Sequence, residues 1–210
     1  MQQNPAATTL FSQPKPAIIR LWHWLLVLLF LASVVTVVLG STMFRTRYNI
    51  STVQEQIQEK GGTVTPEQAR AVAHEFSDKL WMLHKYIGYG LSFLLLVRII
   101  AEVTLSKQQK LGAKIKNALN YPASAERKHY LFVNYGYLFF YTLFLLMALT
   151  GLVLAFDDIH WLKPIHKLSK QIHVIVQYGL YAYMVVHIFG VVRADMTNHA
   201  GIVSRMINGK

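Results

Sequence analysis

Two histidines, His173 and His187, sit 14 residues apart in the otherwise apolar stretch QIHVIVQYGLYAYMVVHIFG, residues 171–190. An ionisable side chain inside a membrane-length apolar segment is costly, and it faces protein rather than lipid. In a helix, 14 residues at about 100° each bring His187 to within about 40° of His173, about 21 Å along the axis. One helix then offers two imidazoles on one face, near opposite membrane surfaces. Two more histidines, His23 and His84, lie in other apolar stretches. Imidazole is a ligand of haem iron, and two histidines opposed across a helical core can clamp an iron from both sides. Two such pairs would hold two b-type haems and make an electron path across a bilayer. With both axial positions filled by protein, that path favours electron transfer over oxygen binding.

Other chemistries fit single features. Zinc takes histidines, but the two pairs are too far apart to share an ion. A lone intramembrane histidine is often a hydrogen-bonded structural residue, and four of them could serve a membrane scaffold with no redox role. His74, His129, His160, His166 and His199 fall outside the apolar blocks, where solvated or interfacial roles are expected.

Four blocks must position the histidines: Leu21–Gly40, Trp81–Val103, Leu131–Phe156 and Ile172–Val192. Each has about 20 residues or more, enough to cross roughly 30 Å of hydrocarbon as helix. They lack the alternation of barrel strands. The expected fold is therefore all-α, an integral-membrane four-helix bundle enclosing two b-type haems. The first block is too long for a signal-peptide core, and no small-residue cleavage site follows it. The chain has no cysteine. That excludes disulfides, thiolate metal sites and covalent haem attachment through Cys-x-x-Cys-His.

Lysine and arginine set the orientation. One side gathers 11 of them, from Lys15 and Arg20, the 102–130 segment and the C-terminal tail, against 8 on the other. Both termini are expected in the cytoplasm of a bacterial cell, with the protein in its inner membrane. His23 and His187 then form the inner pair, and His84 and His173 the outer pair. The net charge of +11 reads as topology and attraction to anionic lipid, not as a nucleic-acid site. Residues 1–16 are expected to be a flexible cytoplasmic tail ahead of a transmembrane domain over 17–210, with an extracytoplasmic loop at 41–80. Within that loop TPEQ, Thr65–Gln68, predicts a helix start with a threonine cap and Pro at the first helical position. Gly61 and Gly62 mark the break before it. LGAKIKNAL predicts a short amphipathic surface helix.

Two glycines and two arginines complete the candidate haem environment. Gly88, one turn after His84, and Gly179, between His173 and His187, could leave room where a porphyrin meets a helix, or could be close helix contacts. Arg98 lies 14 residues after His84 and Arg20 one turn before His23. Each could pair with a haem propionate, and Arg98 could equally snorkel to the interface.

RLWHWLLVL around His23, LHKYIGYGLSFLLLVRII with His84, Gly88 and Arg98, and IHV followed by VHI at His173 and His187 together resemble a known family. These residues, over about 17–210, are similar to bacterial cytochrome b561 and to the b-type cytochrome subunits of [NiFe]-hydrogenase and formate dehydrogenase. The tail VVRADMTNHAGIVSRMINGK looks most like the hydrogenase subunits. The resemblance implies a quinone site on the cytoplasmic side, formed by Asn134, Gly136 and the inner ligand His187. It implies electrons passing from a periplasmic iron–sulfur or catalytic subunit of a hydrogenase or dehydrogenase, through two haem b, to membrane quinone. The alternative within the resemblance is a free-standing superoxide:quinone oxidoreductase of the small cytochrome b561 type. Lys85, Lys163 and Lys167 would then draw in the anion.

Overall fold

The computed structural model describes residues 16–104, 110–120, 122–197 and 200–209. Expectations that concern residues 1–15 and His199 lie outside the described residues. Every regular element described is helical: α1 (Ala17–Ser41), α2 (Thr46–Glu59), α3 (Pro66–Thr104), α4 (Leu111–Leu119), α5 (Ala125–Ala155), α6 (Lys163–Met196) and α7 (Ile202–Asn208). A 3-10 turn at His160–Leu162 leads into α6.

Four helices, α1, α3, α5 and α6, are long and apolar enough to cross a membrane. The shortest has 25 residues, about 37 Å at 1.5 Å per residue. Large apolar side chains point outward from them, among them Phe132, Ile175 and Phe189, each more than two-thirds exposed. Hydrocarbon suits such a surface, because each helix satisfies its own backbone. The chain is a multi-pass membrane protein.

The chain divides into two compact units, Leu25–Ser92 and the remainder. In the first, α1 and the start of α3 run antiparallel. Going down α1 from Gly40 to Thr36 to Leu29, the partners climb α3 from Trp81 to His84 to Gly90. Gly40 gives the Trp81 indole its room, since a Cβ would stand 2.8 Å from it and force a shift.

The expected cap of α3 is present. The Thr65 N–H donates to the Gln68 side-chain oxygen at 2.9 Å, and the Gln68 N–H donates to the Thr65 hydroxyl at 3.3 Å. This reciprocal pair satisfies two orphan donors at once. Replacing Thr65 with alanine is expected to cost about 1 kcal/mol. Hydrogen exchange should speed up at Glu67–Ala69 and stay unchanged in the spans.

The segment expected as a loop at 41–80 is largely helical. α2 fills Thr46–Glu59 with no residue buried. Ile50, Val53 and Ile57 at helical spacing were the available signal, within a stretch too polar to stand out. α2 ends before Gly61, which takes φ 78°, a left-handed geometry that glycine adopts without strain.

In the second unit α5 packs along α6. The contacts run antiparallel, from Gly151 with His173, through Leu143 with Gly179, to Phe140 with Tyr183. Phe144, Val176 and Leu180 are buried in this unit. The Trp22 indole N–H donates to the Leu94 carbonyl at 2.9 Å, and that of Trp24 to the Met206 carbonyl at 3.1 Å. The amphipathic helix expected at LGAKIKNAL is α4. Its first N–H, on Leu111, donates to the Glu102 carboxylate.

Candidate haem-ligand histidines

His23 and His187 come together within the second unit. Their ring centroids are 6.4 Å apart with the planes at 62°. A metal–imidazole nitrogen bond is about 2.0–2.1 Å. Two such bonds on opposite sides of one ion, with the ring radii added, give centroids about 6.3 Å apart. The residues therefore fit a shared iron. His187 is stacked on Tyr183, centroids 5.9 Å apart and planes at 9°, and Tyr183 stacks on Phe140 at 5.0 Å. The Trp24 indole meets His23 edge-on at 5.5 Å. Aromatic faces thus restrict both imidazoles.

His84 and His173 fall in different units, and each has a hydroxyl partner in its own. The Nδ1 of His84 lies 2.8 Å from the Thr36 hydroxyl of α1. The Nδ1 of His173 lies 3.0 Å from the Thr150 hydroxyl of α5. Trp81 meets the His84 ring edge-on at 5.6 Å. Gly151 lets α5 approach the His173 ring, because a Cβ there would stand 3.2 Å from Cε1. Sequence reading missed Thr36, Thr150 and Gly151. A threonine or glycine within an apolar span carries no signal until the facing residue is known.

The two expected glycines differ in surroundings. A Cβ on Gly88 would meet nothing within 4 Å, whereas one on Gly179 would touch Leu143 at 3.4 Å. Gly179 thus has the ordinary spacing of the α5–α6 contact, and Gly88 has room beside it. Arg98 is engaged inside the protein. Its Nη1 lies 3.0 Å from Glu102, and its Nε donates to the Tyr141 hydroxyl at 3.0 Å. Arg20 lies beside Gly209.

His166, one heptad before His173 on α6, is partly buried, and its Nε2 has no hydrogen-bond partner. An orphaned buried nitrogen near a ligand histidine is the kind of group that a propionate would satisfy. Asn134 is buried, and its Nδ2 donates to the Tyr130 carbonyl at 2.7 Å. Continuing the α5–α6 register brings Asn134 and Gly136 level with the end of α6 that carries His187. Among the described residues no three His, Asp or Glu side chains gather as a cage for a metal ion. The chemistry legible here is that of paired imidazoles.

The family model for prokaryotic cytochrome b561 matches residues 15–209. No curated protein and no solved structure matches the chain.

Proposed function

Given that the chain belongs to the prokaryotic cytochrome b561 family, b-type cytochromes that carry electrons across a membrane, we propose that it binds two haem b and delivers electrons to membrane quinone. The observation that carries this reading is the 6.4 Å separation of His23 and His187. One haem is assigned to that pair. The second is assigned to His84 and His173, on the matched depth that helix geometry gives them along the sequence. Haem b held by two imidazoles supplies a one-electron redox centre.

The protein's own residues do the rest. An imidazole on each side of a bound haem would leave no open place for dioxygen. Tyr183, Trp24 and Trp81 fix ring orientation. His166, Arg20 and Arg98 are the cationic or donor groups available to propionates, Arg98 by sharing its guanidinium with Glu102. The lysine-rich side of the chain faces the cytoplasm, which puts His84 and His173 at the outer surface and His23 and His187 at the inner one. Asn134 and Gly136, level with the His187 end of α6, are where quinone is reduced.

The electron donor is a periplasmic iron–sulfur or catalytic subunit of a hydrogenase or dehydrogenase. The support is α2, a helix with no buried residue in the loop assigned to the outer side, which suits a protein contact. A free-standing superoxide:quinone oxidoreductase would not need it.

Reduced-minus-oxidised spectroscopy of the detergent-purified protein, with haem and protein quantified together, tests the reading. Two b-type haems per chain are expected. A colourless protein after expression with added haem would refute it.

A further inference from the structure

Thr36 and Thr150 occupy equivalent places on different helices, each against the Nδ1 of one histidine assigned to the outer centre. Both are almost fully buried. Each hydroxyl has a single proton to give. The Thr36 hydroxyl donates to the Ser33 carbonyl at 2.7 Å. That of Thr150 donates to the Leu146 carbonyl at 2.7 Å, with the Met147 carbonyl at 3.2 Å. A carbonyl cannot donate, so the hydroxyl protons are committed to the backbone. Toward the imidazoles, both threonines can only accept. With the hydroxyl protons on the backbone, each ring carries its proton on Nδ1 and its lone pair on Nε2.

An acceptor on Nδ1–H fixes the tautomer and turns the ring. It also shifts electron density toward Nε2, making the histidine a stronger donor to a bound metal. A stronger donor stabilises ferric over ferrous iron and lowers the reduction potential; hydrogen bonding around the ligands is one of the protein's levers on haem potential. No hydrogen bond from a hydroxyl to His23 or His187 is seen among the described residues, where an edge-on Trp24 and a stacked Tyr183 contact the rings instead.

We infer that Thr36 and Thr150 are positioning residues that jointly make the His84/His173 centre the lower-potential of the two. That asymmetry would set the direction of flow. The outer centre is oxidised by one electron as the inner centre is reduced by one, with no proton or further reactant required. The inference rests on the di-haem reading above.

The test is a potentiometric titration, followed optically, of the wild type and of Thr36→Val, Thr150→Val, Thr36→Ser and Thr150→Ser. Valine keeps the shape and removes the hydroxyl, leaving only the Ser33 carbonyl beside His84, and serine keeps the hydroxyl. Both valine variants are expected to raise the midpoint of the same haem, the lower one, and leave the higher unmoved. Both serine variants should titrate like the wild type, and the low-spin electron paramagnetic resonance signal of that haem should shift only in the valine variants. If a valine variant fails to fold, Thr→Ala at the same position replaces it. Two haems with unmoved potentials would overturn the inference alone, as would shifts in two different haems. A wild type without two low-spin haems would overturn the reading beneath it.

Discussion

Alanine at His187 is expected to cut the haem content from two per chain to one. The remaining haem should be the one whose potential responds to Thr36 and Thr150. In the proposed sites an imidazole would be one of only two protein bonds to each iron. A truncated side chain on α6 leaves only an apolar gap opposite His23, and no water in the span can substitute cheaply. His23→Ala should remove the same haem. The double variant should be no worse than either single one, because residues acting as a unit are not additive. The measurement is a haem-to-protein ratio with a redox titration of what remains. If the two single variants remove different haems, the 6.4 Å juxtaposition of His23 and His187 is not a shared iron site. Stability provides the control. His187 also stacks on Tyr183, so the fold should be checked by thermal unfolding before a lost haem is interpreted.

The second large effect is expected at Glu102. Its carboxylate faces Arg98 at 3.0 Å, with both side chains less than a third exposed, and it accepts the first N–H of α4. Glu102→Leu strands the Arg98 guanidinium in a poorly hydrated place and uncaps α4. An exposed ion pair is worth about 1 kcal/mol or less, whereas breaking a buried one costs about 3–5 kcal/mol. This pair is partly buried, so the loss should fall between those limits. The double variant Arg98→Leu with Glu102→Leu should recover much of it, since the cost comes from leaving one charge without its partner. Thermal unfolding in detergent of the two single variants and the double variant measures this. A double variant as unstable as the sum of the singles would show that the pair is not coupled. Haem content in the same samples reports whether Arg98, relieved of Glu102, still supports cofactor binding.

Much of the architecture was legible because membrane physics writes it in length and composition. Leu21–Gly40, Trp81–Val103 and Ile172–Val192 each lie within one observed helix, and Leu131–Phe156 does so up to Ala155. No proline falls in these blocks to break a helix whose backbone must satisfy itself in lipid. The start of α3 was legible at Thr65–Gln68 for a local reason, a cap formed within four residues. The helix of residues 46–59 was read as loop, because its few apolar residues bury nothing and its polarity matches a linker.

The sequence by itself determined which imidazoles are available and that they stand in membrane-length helices. The expense of an ionisable group in oil makes each one conspicuous. Only the tertiary structure decided their neighbours. His23 meets His187 because α1 and α6 approach at that point. Thr36 meets His84 and Thr150 meets His173 because antiparallel registers set by Gly40 and Gly151 bring those rows level. Arg98 is turned toward Glu102 and Tyr141 by a shared helix face and a neighbouring helix. Helix periodicity fixes the face and height of a residue on its own helix. The partner across the gap depends on the register of two helices, which close packing of small residues selects.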